Sequence, residues 1–200
     1  MNRRLGLIVS GAIVVSLLMI AVFVLTRPHT FRGSIISPPA PAPDFRLPDG
    51  KGGSFQLSEQ RGKLVLIFFG YTSCPDVCPT TLSEMKLVQK RLGSLADQVR
   101  FVFITVDPAR DTPEIMAQYA ASFSPSFIGL SGSEEELQPV WEGYGVYHEK
   151  RETASAVGYL VDHSAFVYVI DRNGNMRETF SFRTPVDDVV GDVRYLVKER

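Results

Sequence analysis

The sequence predicts an α/β fold that follows a single N-terminal transmembrane helix. Two apolar runs, LVLIFFG (residues 64–70) and VRFVFITVD (residues 99–107), have the aliphatic and aromatic content of strands buried on both faces. Helical patterns separate these runs, and strands that alternate with helices are typical of α/β proteins. Near the N-terminus, the uncharged run over residues 5–25 is long enough to span a bilayer as a helix.

This uncharged run, Leu5 to Leu25, predicts a membrane anchor that follows a short cytoplasmic tip, residues 1–4. Arg3 and Arg4 favour a cytoplasmic N-terminus under the positive-inside rule, so the C-terminal part would be exported. A cleaved signal peptide is the alternative, but it would have a shorter apolar region that ends in a small-residue cleavage site. Either arrangement leaves the rest of the chain outside the cytoplasm, where disulfides can persist.

Residues 26–43 predict a Pro-rich spacer between the anchor and the folded part. Prolines at positions 38, 39, 41 and 43 favour an extended polyproline conformation there. The remaining residues, 44–200, are expected to form one domain with a single hydrophobic core. The formal net charge of −1, with acidic and basic residues mixed along the chain, predicts no nucleic-acid partner.

The first helix of the domain follows its first strand. Apolar side chains from Cys78 to Leu92 recur at spacings of three and four, and Gly93 supplies a stop. The sequences DTPE at 111–114 and SEEE at 133–136 have the spacing of a capping box, so two further helices are expected to start there.

The C-terminal part predicts a β-hairpin and a last helix. Residues 166–182 alternate in polarity around the turn sequence DRNG (171–174), which is a strong hairpin signal. A helix is expected from Pro185 to the C-terminus. Taken in order, the strand, helix, strand, two helices, hairpin and helix fit a thioredoxin-like three-layer sandwich.

Both cysteines of the chain lie in the short stretch SCPDVCP. If the helix includes this turn, Cys74 and Cys78 lie on one face with their Cα atoms roughly 6 Å apart. That separation permits either a disulfide or joint coordination of one ion. The N-terminus of a helix favours thiolate over thiol, although Asp76 opposes this effect. The cysteine positions alone therefore leave redox and metal chemistry both open.

One of the three histidines is the best candidate for a third ligand. His29 lies in the spacer and His148 in a charged run, whereas His163 directly precedes the strand FVYVI. In a thioredoxin-type sheet, the loop before that strand lies against the N-terminus of the cysteine helix and carries a cis-proline, but residues 159–170 contain no proline. Two thiolates and one imidazole suit Cu(I) and can hold Cu(II), whereas a structural zinc site usually has four protein ligands.

Three stretches resemble the Sco/SenC family of membrane-anchored, thioredoxin-fold copper proteins: GYTSCPDVCPTTL, ITVDPARDTP and VDHSAFVYVIDRNG. The resemblance covers about Pro43 to the C-terminus. It implies that Cys74 and Cys78 are copper-binding thiols, that His163 is the imidazole ligand, and that copper is bound as Cu(I) and Cu(II).

The residues around these three carry further expectations. Asp162 is a candidate hydrogen-bond acceptor that would orient His163, although it can equally be a strand-end residue that faces solvent. Turn and capping chemistry explains most of Asp107 to Pro113, and Arg110 can form an ion pair near the site or contact a partner.

The resemblance implies a copper metallochaperone rather than an enzyme. Its acceptor would be the dinuclear copper centre of cytochrome c oxidase subunit II or another copper protein, and its donor a periplasmic copper protein. With no transit segment before the anchor, a bacterial inner membrane is favoured, with the C-terminal domain in the periplasm. The alternatives are a thiol-disulfide oxidoreductase that reduces the target's cysteines, a redox-signalling protein, a disulfide-stapled interaction domain and a peroxidase.

Overall fold

The computed structural model describes residues 12–20, 23, 29–153 and 158–199. The chain divides into two compact units, Met1–Thr30 and Phe31–Arg200. In the N-terminal unit, residues 12–20 and 23 are helical, and the rest of the predicted anchor, 5–25, lies outside the described residues. Within the described parts of the chain, no helix has both the length and the apolar character that a membrane crossing requires.

The C-terminal unit is built on a six-stranded mixed sheet with strand order β1-β10-β9-β4-β5-β6. Two small antiparallel sheets, β2-β3 and β7-β8, accompany it. In chain order the strands are β1 (Ser34–Pro41), β2 (Arg46–Pro48), β3 (Ser54–Gln56), β4 (Leu64–Gly70), β5 (Val99–Thr105), β6 (Ile128–Leu130), β7 (His148–Glu152), β8 (Tyr159–His163), β9 (Phe166–Ile170) and β10 (Asn175–Ser181).

Four helices cover the sheet, and their placement confirms the α/β, thioredoxin-like prediction. The first helix packs against the last, and the second packs against β5 and β6. Short 3-10 turns at Leu57–Gln60 and Gly93–Gln98 complete the connections. The helices are α1 (Val77–Leu92), α2 (Pro113–Phe123), α3 (Glu134–Gly143) and α4 (Val186–Lys198).

At the centre of the sheet, three chain segments meet at the same end of the strands. β4 is buried along its whole length and runs parallel to β5, with Gly70 opposite Thr105. β9 is antiparallel to β4, so its N-terminal end lies at the same edge as the C-terminal ends of β4 and β5. The residues that follow β4, follow β5 and precede β9 are therefore neighbours in space.

The structure differs from the sequence prediction at the spacer. Residues 34–41, part of the predicted spacer over 26–43, form β1 and pair with β10 at one edge of the main sheet. An edge strand tolerates proline because its outer N–H groups need no partner strand. The predicted domain start at residue 44 is therefore too late, since the folded unit includes β1.

The helix starts agree with the capping signals, with one change of residue. Ser133 and Glu136 make both hydrogen bonds of a capping box at the start of α3. At α2 the capping side chain is Thr112, which accepts a hydrogen bond from the Ile115 amide, while Asp111 is fully buried and has a different role. The predicted hairpin is present as β9 and β10, with Gly174 in the left-handed conformation (φ 79°).

Candidate metal site

The two cysteines lie at the N-terminus of α1, directly after the buried strand β4. Cys78 lies in the first turn of the helix and is fully buried, whereas Cys74 lies in the preceding loop and is 9% exposed. The Cys78 amide donates to the Cys74 sulfur at 3.4 Å. Because the first amides of a helix have no partner within the helix, the Cys74 sulfur receives a donor that the fold leaves available.

A glycine lets the end of β4 approach the cysteine pair. A Cβ atom on Gly70 would lie 2.6 Å from the Cys78 sulfur and 2.9 Å from the Phe103 ring. Real Cβ atoms do not come that close to other heavy atoms. The absence of a side chain at this position therefore makes room for the Cys78 thiol between strand and helix.

His163, the last residue of β8, completes the cluster. Its Nε2 atom lies 3.5 Å from the Cys78 sulfur. The ligand atoms of Cys74, Cys78 and His163 all lie within 4.8 Å of one another, so the three could hold one metal ion. The imidazole packs edge-on against Tyr71 and Phe68, at ring-centroid distances of 5.8 and 6.2 Å. These contacts hold the ring against the sulfurs.

The partner of the other imidazole nitrogen decides between the two expectations for Asp162. His163 Nδ1 donates to the carbonyl oxygen of Ser164 at 2.9 Å. Asp162 is exposed and pairs with Arg151 at 3.0 Å instead. Successive side chains of a strand point to opposite faces, so the residue next to His163 in β8 points away from the cluster.

The other two histidines lie outside the cluster. His148 is the cross-strand neighbour of His163, but its ring packs on Trp141 at a centroid distance of 4.3 Å. His29 belongs to the N-terminal unit. Among the described residues, the group of possible metal ligands at the cysteines contains one histidine, His163.

The two thiols differ in acidity. A hydrogen bond from the Cys78 side chain lowers the pKa of Cys74 to about 4, and the backbone amides of Cys78 and Asp76 add to this against the effect of burial. Burial, and then the neighbouring Cys74 side chain, raises the pKa of Cys78 above its ordinary value. Cys74 is therefore the thiolate of the pair at neutral pH.

A buried carboxylate fixes the loop that leads to Cys74. Asp111 accepts hydrogen bonds from the Thr72 amide at 3.0 Å, the Thr72 hydroxyl at 2.5 Å and the Thr105 hydroxyl at 2.8 Å. Burial raises the pKa of Asp111 despite these donors. The same side chain thus joins the segments that follow β4 and β5, a role that the capping-box spacing did not reveal.

A second network ties β8 to the end of β5. Arg110 contacts the buried Asp107 carboxylate at 2.5 Å and donates to the Tyr159 carbonyl oxygen at 3.0 Å. Its guanidinium carbon lies 3.8 Å from the centroid of the Tyr159 ring, whose hydroxyl donates to Asp107 at 2.9 Å. The Val161 amide donates to the Tyr71 hydroxyl at 3.2 Å. Together these contacts hold the strand that carries His163.

The sequence indicated part of this network. The ion pair of Arg110 was one of its predicted roles, because the residue lies in a stretch that ends β5. The contributions of Tyr71 and Tyr159 have no direct signal in the sequence, because neither residue belongs to a recognisable hydrogen-bonding motif. One indirect signal could have found Tyr159. It is separated from His163 by an even number of residues, so in a strand both side chains point to the same face.

The cluster opens onto a cleft that a partner molecule can reach. Both cysteines are free thiols, which allows either coordination of a soft cation or exchange with a disulfide. The cleft is bounded by the segment before α1 and by β8, and its lining residues are Tyr71, Cys74, Pro75, Asp76, Val77, Leu160, Val161, Asp162, His163 and Ala165.

Comparisons with known proteins agree with this geometry. A profile of the SCO1/SenC family matches residues 35–198. An SCO2-like protein of Rickettsia felis is 41% identical over 138 residues, which cover 68% of this chain and 67% of that protein. Apo Sco1 from Thermus thermophilus is 40% identical with a TM-score of 0.75, covering 84% of this chain and 98% of that one. Copper-bound ScoI from Bradyrhizobium japonicum is 40% identical with a TM-score of 0.72, covering 78% and 99%.

Proposed function

Since this chain belongs to the SCO1/SenC family, we propose that it is a copper chaperone that binds copper through Cys74, Cys78 and His163. The observation that carries the proposal is the convergence of two sulfurs and one imidazole nitrogen within 4.8 Å at the mouth of a cleft. Copper is the cargo of this protein. It enters and leaves by exchange of ligands, and no substrate is turned over.

The donor set favours copper over other metals. Thiolates are soft ligands that select Cu(I), and imidazole is compatible with both Cu(I) and Cu(II). Cys74 is already ionised, so the first bond to the ion costs no proton. Cys78 must lose its proton on binding, which makes the affinity depend on pH and gives an acceptor a way to release the ion.

The proposed acceptor is the dinuclear copper centre of cytochrome c oxidase subunit II, and the proposed donor is a periplasmic copper protein. Family membership supports this acceptor, and the open cleft supports direct transfer between proteins. The cluster presents three ligands, so an approaching thiol or imidazole can add to the ion before a ligand of this chain departs. The test is loss of the assembled oxidase copper centre in cells that carry His163→Ala.

The proposed location is the bacterial inner membrane, with one transmembrane helix over residues 5–25 and the C-terminal unit in the periplasm. The uncharged run and the basic residues Arg3 and Arg4 support it. Alkaline phosphatase fused after Arg200 tests this topology. The enzyme needs disulfides that form outside the cytoplasm, so activity is expected, and an inactive fusion would contradict the topology.

Copper titration of the reduced full chain in detergent tests the site itself. About one equivalent should bind, with thiolate-to-copper charge-transfer bands in the Cu(II) form. His163→Ala should weaken binding by at least about tenfold and change these bands, because a ligand is lost. His148→Ala is the matched control and should leave both unchanged. Binding that is indifferent to His163 would contradict the proposed ligand set.

A thiol-disulfide oxidoreductase is the second candidate, and the unequal acidity of the two thiols favours it. The Cys74 thiolate would attack a target disulfide and release one target thiolate, forming a mixed disulfide. Cys78, once deprotonated, would then attack the Cys74 sulfur and release the second, so the target gains two electrons and this chain gains a disulfide. His163→Ala should preserve this exchange, whereas it should impair the chaperone.

A further inference from the structure

The hairpin of β7 and β8 has a regular hydrogen-bond alternation that identifies one unusual pair. At its far end the Thr153 amide donates to the Gly158 carbonyl oxygen at 2.7 Å. At the end that carries the site, the Ser164 amide donates to the Tyr147 carbonyl oxygen at 3.0 Å. These two pairs are separated by an even number of residues, so both are hydrogen-bonded pairs of the antiparallel ladder. Such a pair normally exchanges two bonds between the two backbones.

The second bond of the Tyr147–Ser164 pair is not made by the backbone carbonyl. The Tyr147 amide donates instead to the Ser164 hydroxyl at 3.1 Å. The Ser164 carbonyl oxygen is thereby released from the ladder, and it accepts the hydrogen bond from His163 Nδ1 at 2.9 Å. Ser164 thus accepts the strand's hydrogen bond with its side chain and the histidine's hydrogen bond with its backbone carbonyl.

This arrangement determines which nitrogen of His163 faces the sulfurs with a lone pair. With the hydrogen on Nδ1, the Nε2 atom, 3.5 Å from the Cys78 sulfur, is free to bind a cation. We infer that Ser164 is a positioning residue for the metal ligand, because its hydroxyl replaces its own carbonyl in the β7–β8 ladder. The inference rests on the proposed function for its metal, but not for the histidine tautomer.

Removal of the hydroxyl creates a competition for one acceptor. In Ser164→Ala the Tyr147 amide turns to the Ser164 carbonyl oxygen; that oxygen has two lone pairs, but a ladder bond aligns it with β7 and draws it away from His163 Nδ1. The imidazole then loses its fixed partner and populates both tautomers. Ser164→Thr retains a hydroxyl at the same place and suits a strand, so it should behave as the wild type.

The first measurement is the tautomer of His163 in the reduced, metal-free full chain in detergent. Long-range proton–nitrogen NMR correlations distinguish Nδ1–H from Nε2–H imidazoles, and His163→Ala assigns the signal among the three histidines. We expect a single Nδ1–H form in the wild type and in Ser164→Thr, and a mixture in Ser164→Ala. Ser54→Ala, which removes a hydroxyl that accepts from Arg46 in the β2–β3 hairpin, is the matched control and should give the single form.

The second measurement is the Cu(I) affinity of the same variants, by competition with a coloured chelator. Partners that orient a metal-bound histidine typically contribute 10- to 100-fold in affinity, so Ser164→Ala should bind about tenfold more weakly and Ser164→Thr normally. A single tautomer in Ser164→Ala, a mixture in Ser164→Thr, or unchanged copper affinity in Ser164→Ala would each overturn the inference. If the tautomers behave as expected but the wild type binds no copper, the proposed function fails while Ser164 still positions the histidine.

Discussion

Two buried side chains of the C-terminal unit, Cys74 and Glu178, reach opposite protonation states, although each lies beside a second ionisable group. The thiol cluster of Cys74 and Cys78 lies at the edge of the sheet where β4 ends, and there the pKa of Cys74 is lowered to about 4. The carboxyl pair of Glu178 and Asp192 lies between β10 and α4, and there the pKa of Glu178 is raised to about 8. Burial acts against ionisation in both places, so burial alone does not explain the difference.

The number of hydrogen-bond donors explains it. Cys74 receives bonds from the Cys78 thiol and from two backbone amides. In the carboxyl pair, Asp192 takes the Arg32 and Gly33 amides at 2.7 and 3.2 Å, while Glu178 is fully buried beside a second negative charge. Burial first, and then the charge of Asp192, raises the pKa of Glu178. Cys74, which has several hydrogen-bond donors, is therefore an anion that can bind a cation, whereas Glu178, which has few, keeps its proton.

The largest expected effect separates the two clusters by function. The double substitution Cys74→Ser, Cys78→Ser should abolish stoichiometric copper binding, since hydroxyls do not replace thiolates as soft ligands. Glu178→Gln should leave the copper stoichiometry unchanged. Both are measured by metal analysis after gel filtration, and retention of a full equivalent by the double variant would assign the metal to other residues.

The next effect concerns a buried carboxylate that does have a cationic partner. Arg110→Ala should lower the free energy of unfolding by about 3 kcal/mol, because it leaves Asp107 buried without its ion pair. Copper affinity should fall as well, since β8 loses its anchor at Tyr159.

Urea unfolding of Arg110→Ala is compared with that of Arg151→Ala. The latter removes an exposed ion pair with Asp162 and should change stability by less than about 1 kcal/mol. Equal effects of the two substitutions would show that burial of Asp107 does not set the cost.

The carboxyl group of Glu178 predicts an effect on stability that appears only when the pH is varied. Its pKa is about 8 in the folded chain, against an ordinary value of 4.5. Below about pH 4.5 Glu178 is protonated in both the folded and the unfolded chain. Between about pH 4.5 and pH 8 it is protonated only in the folded chain. Stability is therefore highest below the lower value, falls as pH rises towards 8, and is level above it.

The fall in Tm should be on the order of 10 °C across this window, and Glu178→Gln, which cannot ionise, should remove the Glu178 contribution. The difference between wild-type and variant melting curves isolates this residue from other titrating groups. A wild type whose pH dependence matches that of the variant would contradict the protonated state of Glu178.

The smallest effect concerns the single hydrogen bond between the Val161 amide and the Tyr71 hydroxyl, near the candidate metal site. Tyr71→Phe removes the acceptor for the buried Val161 amide and should lower stability by about 1–2 kcal/mol. Tyr147→Phe, which changes an exposed tyrosine directly before β7, should have little effect. Thermal unfolding of both variants measures the difference, and an unchanged Tm in Tyr71→Phe would mean that water satisfies the amide.

The sequence predicted the individual strands, turns and helix starts of the C-terminal unit better than the contacts between them. The apolar runs of β4 and β5, the turn before Gly174 and the capping box at Ser133 depend on local patterns, and each appears where it was expected. His163 was found because the fold places the segment before β9 beside the cysteine helix. That inference needed only the order of the strands and the absence of proline.

The missed features depend on which strand pairs with which. β1 carries prolines that indicate a spacer, and only its pairing with β10 reveals a strand. Of the two expectations for Asp162, the solvent-facing one holds, because the alternation of side chains along β8 directs this residue away from the cluster. The role of Ser164 requires the register of β7 on β8, because the same residue would make ordinary ladder bonds in another register.

The prolines of β1 also protect the sheet against unwanted association. A free sheet edge is a template for strands of other molecules, and proline cannot donate the hydrogen bonds that such addition requires. β1 is the edge that β10 would otherwise present, and Pro38, Pro39 and Pro41 lie within it. A shortened protein that begins at Pro43 would uncover β10 and should aggregate, whereas one that begins at Phe31 should remain monodisperse.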